Sequence, residues 1–289
     1  MERRVLGSSG IAVGCVGLGG MPLSIRGRPS EADALRVIHA AIDAGMDFVD
    51  TADVYCLDHT DIGHNERLVA KALRERADGD RVVVATKCGL ERPDGAWTTN
   101  GRPEHLRRAT EASLRALGVE RITLQQLHAP DDDVPFAESV GELARLRAEG
   151  KIAHVGLSNV SVDEIREAEA IVPIVSVQNR CNPHDRRAWE GGVVQWCAER
   201  GLAFLPYSPV GGGRGKAAVG GDPALARVGA RHGATPYQVA LAWLLAKAPV
   251  IIPIPGASRV QSAVDSARAA DLRLSDADLA ELDRHFPTR

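Results

Sequence analysis

Short apolar runs alternate with amphipathic stretches along almost the whole chain. Cys15–Leu18 is the first apolar run. Pro29-Ser30-Glu31 then opens an amphipathic stretch that continues to about Ala44, with Ser30 placed as its N-cap. The pattern repeats from there. Phe48–Asp50, 81–86, 122–127, 152–157, 174–177, 202–206 and 250–254 read as strands. Residues 65–76, 103–117, 134–149, 161–170 and 192–200 read as the helices between them, and Gly118, Gly150 and Gly201 stand where three of these helices should end. Two helices, 223–232 and 236–247, precede the last strand, and two more, 259–269 and 275–284, follow it. Val5–Val13, folded about Gly7-Ser8-Ser9-Gly10, reads as a small hairpin. The glycine-rich Gly211–Gly221 reads as a loop after a strand end.

Continuous Val/Ile/Leu runs imply strands buried on both faces, hence parallel pairing. About eight strand–helix units in 289 residues suit a closed (β/α)8 TIM barrel better than an open sheet. The expected architecture is one domain over 1–289, with an N-terminal β-hairpin and extra C-terminal helices. No Pro/Gly-rich linker divides the chain.

Composition changes this picture little but narrows the partners. Apolar residues are 44% and charged residues 25%, with a net charge of −3. Neither nucleic acid nor an anionic membrane surface is expected as a partner, since both need a basic face. No apolar run reaches the roughly 18 residues of a spanning helix. The five cysteines, Cys15, Cys56, Cys88, Cys181 and Cys197, show no paired spacing. With no signal-type segment at the start, they read as free thiols in a cytoplasmic protein.

In a TIM barrel the chemistry lies at the carboxyl ends of the strands. Strand two offers Asp50 and then Tyr55, strand three Lys87, and strand four Gln126-Leu127-His128. A buried lysine needs an anion, and Asp50 is one strand away. A lysine beside a tyrosine favours phenolate, so Tyr55 is expected below its ordinary pKa of about 10, as a usable acid. His128 could orient a carbonyl oxygen. Clustered metal ligands are not expected: His59 and His64 lie near each other without a partner motif.

These strand ends, together with Asp50-Thr51-Ala52-Asp53-Val54-Tyr55, Thr86-Lys87, Gly156-Leu157-Ser158-Asn159, Val177-Gln178-Asn179, Pro206-Tyr207-Ser208-Pro209 and Ile254-Pro255-Gly256-Ala257-Ser258-Arg259, resemble an aldo-keto reductase over almost the whole chain. The resemblance implies an oxidoreductase with the tetrad Asp50, Tyr55, Lys87 and His128. It implies a nicotinamide dinucleotide, NADP(H) in preference to NAD(H). Carried over, Gly20, Met21 and Asp50 line the cofactor, and Ser158, Asn159 and Gln178 hold its carboxamide. Tyr207 stacks on the nicotinamide. Ser208, Pro209, Val210, Gly211 and Gly212 wrap the pyrophosphate, helped by Arg214 or Lys216. Ile254, Gly256, Ser258 and Arg259 take the far phosphate at a helix start. Ser262, Asp265 and Ser266 align with the adenine contacts, where the family often has longer side chains.

The substrate pocket is expected among Met21, Tyr55, Cys56, Leu57, Trp97 and His128, with an open, polar mouth. That suits a small-molecule carbonyl or polyol such as a sugar, a pyridoxal-like aldehyde or a glycosylated natural product. The alternative implied by the resemblance is a non-enzymatic subunit that senses a bound nucleotide. Either a monomer or a homo-oligomer is compatible with the sequence.

Overall fold

The computed structural model of the chain describes residues 1–288, apart from the Arg214 side chain. Its N-terminal hairpin pairs β1 (Arg3–Val5) with β2 (Ala12–Gly14) antiparallel, Arg3 opposite Gly14. Strand β3 (Leu18–Gly19) and helix α1 (Glu31–Asp43) form the first barrel unit. The Ser30 hydroxyl accepts the Asp33 N–H and so caps α1. Strand β4 (Phe48–Asp50) and α2 (His64–Arg74) form the second unit. Strand β5 (Val83–Cys88) runs into a small hairpin, β6 (Leu90–Glu91) with β7 (Thr98–Thr99), before α3 (Pro103–Leu117). Then come β8 (Ile122–Leu127), α4 (Phe136–Ala148), β9 (Ile152–Ser158), α5 (Val162–Glu169) and β10 (Ile174–Gln178). Helices α6 (Arg187–Glu190) and α7 (Val193–Arg200) lead to β11 (Ala203–Phe204). Helices α8 (Gly212–Gly221), α9 (Pro223–His232) and α10 (Pro236–Lys247) follow, then α11 (Val260–Arg268) and α12 (Asp276–His285).

Seven parallel strands pair in the order β11-β10-β9-β8-β5-β4-β3. The eighth staff is the segment Ile251–Gly256. It closes the ring by parallel bridges from Phe204 to Ile251, Tyr207 to Ile254 and Gly19 to Gly256. The fold is therefore the (β/α)8 barrel. The 250–254 strand is reduced to isolated bridges because Pro253 and Pro255 have no N–H for the ladder.

Alternation along the strands divides the barrel into an apolar floor and a polar top. Phe48, Ala85, Leu124, Val175, Leu205 and Ile252 pack inside it, and Leu6 and Val13 of the hairpin plug its base. Two residues further along a strand the side chain returns to the same face, roughly 6.6 Å higher. On β4, β5 and β8 those residues are Asp50, Lys87 and Gln126. The intervening Val49 packs outward against Ile38 and Val69, in the layer between sheet and helices. At Gly156 of β9 any Cβ would collide with the Ser176 hydroxyl, so a glycine there lets neighbouring strands fill the interior.

One expectation is corrected. Gly211–Gly221 is not a loop: most of it is helix α8, entered through Gly211 at φ 92°. Its five glycines disfavour a helix by roughly 1 kcal/mol each relative to alanine. Burial of Val219 and a hydrogen bond from the Tyr237 hydroxyl to the Lys216 carbonyl override that preference.

Candidate active site

The polar top of the barrel converges on Lys87. Its ammonium donates to Asp50 Oδ2 at 2.6 Å, to the Thr51 carbonyl at 2.9 Å and to the Tyr55 hydroxyl at 2.9 Å. Those three bonds use all three of its protons. Asp50 is 2% exposed and Lys87 0% exposed, so the pair is shielded from water. The other carboxylate oxygen, Asp50 Oδ1, accepts from Gln126 Nε2 at 3.1 Å and from Gln178 Nε2 at 2.8 Å. Gln178 also donates to Gln126 Oε1, so two amides lock the carboxylate in one orientation.

Tyr55 follows β4 in a buried turn, and its ring meets His128 edge-on with centroids 5.8 Å apart. Because Lys87 donates to the Tyr55 oxygen, the phenol's own proton is left free to donate elsewhere. Burial raises the Tyr55 pKa above its ordinary value, and the opposing pull of Lys87 does not overcome this. The expected lowering is thus corrected: desolvation of a phenolate outweighs one nearby ammonium. Burial also works against the Lys87 charge, but Asp50 and Tyr55 outweigh it and hold the amine protonated. Burial, with the Lys87 charge behind it, pushes His128 well below the usual imidazole range. His128 is therefore a neutral ring, and its Nδ1 has no hydrogen-bond partner.

The strand ends on the far side of the barrel form a second arc. The Tyr207 hydroxyl donates to Asn159 Oδ1 at 2.8 Å, and Asn159 Nδ2 donates to the His128 carbonyl and to Ser158 Oγ. Asn159 and Ser208 hold φ 60° and 50°, conformations that non-glycine residues rarely adopt and that cluster at ligand sites. Pro209 is buried, while Ser208, Val210 and Gly212 are half-buried. Helix α11 begins after Arg259 with no side-chain cap, leaving its first N–H groups free. Gly256, Ser258 and Arg259 are exposed there, beside buried Ile254. Ser262 and Ser266 are half-buried on that helix. Asp265 accepts from Gln261 on its own helix. Gly20 follows β3, and its carbonyl accepts from Asn65 Nδ2 of α2. The Lys216 ammonium lies over the Tyr237 ring; the Arg214 side chain is outside the described residues.

Around the mouth, Met21, Leu57 and Trp97 are exposed apolar groups. Trp97 meets Tyr55 and His128 edge-on, at 6.4 and 6.5 Å between centroids. Cys56 is the exception among the expected pocket residues. Its thiol turns inward, donating to the carbonyls of Val54 and Asp58, and burial raises its pKa to about 11. Asp58, Thr60 and Asp61 are also engaged. Asp58 caps a short turn through the Thr60 N–H, and Asp61 pairs with Arg28.

Sequence reasoning passed over several residues of this site. Gln126 was noted at a strand end without a role, although it orients Asp50. Arg180 donates to the Gly211 carbonyl, and Asn182 to the Ser208 carbonyl, bracing the turn beneath the second arc. Arg92 donates to the carbonyls of Cys56 and Leu57 and lies 3.9 Å from the Trp97 ring centroid. Only the strand-end position of Gln126 and Arg180 could have pointed to them. Among the described residues no cluster of three or more His, Cys, Asp or Glu could hold a metal. Among the described residues no helix is long and apolar enough to cross a membrane.

Comparison with known proteins places the chain among proteins of one family and fold. The sequence model described as "Aldo/keto reductase family" matches residues 15–286. "Probable aldo-keto reductase 1" of Glycine max is 35% identical, covering 98% of this chain and 88% of its own length. A thermostable aldo-keto reductase, Tm1743, solved with the inhibitor epalrestat, superposes with a TM-score of 0.85 at 27% identity, covering 99% of this chain and 100% of its own. An aldo-keto reductase of Klebsiella pneumoniae solved with NADPH superposes at 0.82, with 26% identity, covering 99% and 96%. With the barrel, the strand-end residues and a match over nearly the whole sequence in hand, the chain belongs to the aldo/keto reductase family of oxidoreductases.

Proposed function

We propose that this protein reduces an aldehyde or ketone, or oxidises the matching alcohol or polyol, with NADP(H) as cofactor and Tyr55 as the general acid. The observation that carries this reading is the Lys87 ammonium, which bonds at once to Asp50, Thr51 and Tyr55 inside an apolar barrel. The second arc suits a nicotinamide dinucleotide: strained Asn159 and Ser208, half-buried Tyr207 and an uncapped helix start. Ser158, Asn159 and Gln178 would hold its carboxamide, Tyr207 its ring, and Ser208–Gly212 its pyrophosphate. Exposed Arg259 suits a 2′-phosphate, which is why NADP is preferred to NAD. When bound, the cofactor supplies or accepts the hydride at the carbonyl carbon.

The protein's own part is proton delivery and orientation. Tyr55, protonated at neutral pH, donates to the oxygen as negative charge develops there. Lys87 cannot rotate away, because all three of its protons are committed. Its charge stabilises the phenolate left behind. Neutral His128 contributes a ring N–H to the same oxygen without adding a second cation. General acid assistance of this kind is typically worth about 10²–10⁴-fold. The exposed apolar rim of Met21, Leu57 and Trp97 suits a substrate larger than a small aliphatic aldehyde.

The test is loss of NADPH absorbance over a panel of aromatic, sugar-derived and aliphatic aldehydes, for the wild type and Tyr55→Phe together. Turnover that collapses in the variant while NADPH binding persists supports the reading. Tight NADPH binding with no turnover of any aldehyde would favour the nucleotide-sensing alternative. Equal turnover in both proteins would remove Tyr55 from the acid role.

A further inference from the structure

Outside the barrel mouth, the start of α2, the face of α3 and the β6–β7 hairpin enclose a cavity of about 900 Å³. Four arginines line it: Arg67, Arg92, Arg108 and Arg115. Among the described residues none of the four lies within ion-pair distance of a carboxylate. Arg92 is the informative one. It is 5% exposed, yet its Nε and Nη1 have no hydrogen-bond partner. Its remaining nitrogen, Nη2, donates to the Cys56 and Leu57 carbonyls. A buried guanidinium with unmet donors costs free energy unless an acceptor meets them. Arg67 is fixed at the rim by its bond to the Ile62 carbonyl, while Arg108 and Arg115 are exposed on α3, about two turns apart on one face.

Among the described residues, the carboxylates in the same cavity do not pair with these arginines. Asp53 and Glu66 form its floor. Burial raises both carboxyl pKa values, in Asp53 helped by Glu66, which favours their neutral forms. Glu91 faces His105 and accepts from the amide of Asn100, and pairs with none of the four arginines. Asp94 lies on the exposed tip between β6 and β7. Pockets for small molecules span roughly 300–1,000 Å³, so the volume admits more than a bare ion.

We propose that this cavity is a second binding site, separate from the cofactor and substrate sites, for a small molecule bearing a phosphate-type oxyanion. Arg92 meets the oxyanion from the inner wall and Arg67, Arg108 and Arg115 from the rim, since planar guanidinium groups match oxyanion geometry. Arg92 also supports the substrate mouth, so the test leaves it intact.

The experiment is calorimetric titration of the protein with inorganic phosphate, pyrophosphate and glucose 6-phosphate. Excess NADPH is present throughout, to occupy the phosphate contacts at the barrel top. The expected result is one site per chain, weakened roughly tenfold or more in R108S/R115S. Binding should be unchanged in R200S/R284S, which removes two charges outside the cavity. Preference for glucose 6-phosphate over the inorganic anions identifies the source as a phosphorylated metabolite, and the reverse order a free anion. No binding of any of the three, or equal binding in wild type and R108S/R115S, would overturn the site. Should the double variant fail to fold, R108S and R115S carry the same test singly.

Discussion

Removing the Lys87 charge separates the structural from the chemical part of the site. Lys87→Met leaves Asp50, 2% exposed in the wild type, without its one cationic partner among the described residues. Its remaining support is the Gln126 and Gln178 amides, at 3.1 and 2.8 Å on the other oxygen. Breaking a buried ion pair by removing one partner typically costs about 3–5 kcal/mol. The two amides soften this, so the lower part of that range is expected in urea unfolding. Catalysis should fall by roughly 10²–10⁴-fold, a barrier increase of about 3–5 kcal/mol, because the phenolate loses its adjacent positive charge. The double variant Asp50→Asn/Lys87→Met distinguishes the two effects. It removes both charges and should recover most of the stability, with a coupling energy of about 2 kcal/mol or more. It should recover none of the turnover. A loss below about 1 kcal/mol in Lys87→Met would refute the argument from burial. Turnover regained in the double variant would refute the role given to the ammonium.

Three further predictions follow from the same geometry. With Tyr55 raised and His128 held neutral, kcat for reduction should be flat through neutral pH and fall only above about 10, as the phenol ionises. Alcohol oxidation, which needs the phenolate, should rise toward the same pH; a midpoint near the ordinary imidazole value in a stopped-flow profile would mean that His128 titrates after all. Arg259→Ala should weaken NADPH by roughly 10- to 100-fold while leaving NADH within a few-fold, read by fluorescence titration. Equal losses for both nucleotides would take Arg259 away from the 2′-phosphate. Gln126→Leu should cost about 1–3 kcal/mol in denaturant unfolding, since Asp50 Oδ1 keeps only one of its two amide donors. An unchanged midpoint would show that Gln178 alone satisfies that oxygen.

Much of this arrangement was legible before any coordinates. The strand-end positions of Asp50, Lys87 and His128 follow from where apolar runs stop. The period-two rule then places Asp50 above Phe48 and Lys87 above Ala85 on the same inner face. Helix ends were legible too, because Gly118 and Gly201 adopt the left-handed conformation that closes a helix. Other features were not legible. Nothing local says that Cys56 turns its thiol inward, since the carbonyls it meets are arranged by the loop as a whole. The Tyr55 pKa could not be signed from the neighbouring lysine alone. Its direction depends on how much water the fold removes, and burial of 94% of the residue decides it against the phenolate.

By itself, then, the amino-acid sequence determined what is local or periodic: which segments are strands, where helices stop, and which reactive residues stand at strand ends. These follow from backbone sterics and from alternating burial, and both act over a few residues. Tertiary structure decided what depends on distant segments meeting. Gln126 and Gln178 share one oxygen of Asp50 across 52 residues of chain. The glycine-rich segment becomes helix α8 because Val219 is buried and Lys216 accepts a bond from Tyr237. Four arginines from α2, α3 and the β6–β7 hairpin line one cavity only once the barrel has brought those elements together. Desolvation and hydrogen-bond satisfaction are properties of the packed whole, so neither could be read from any single stretch of the chain.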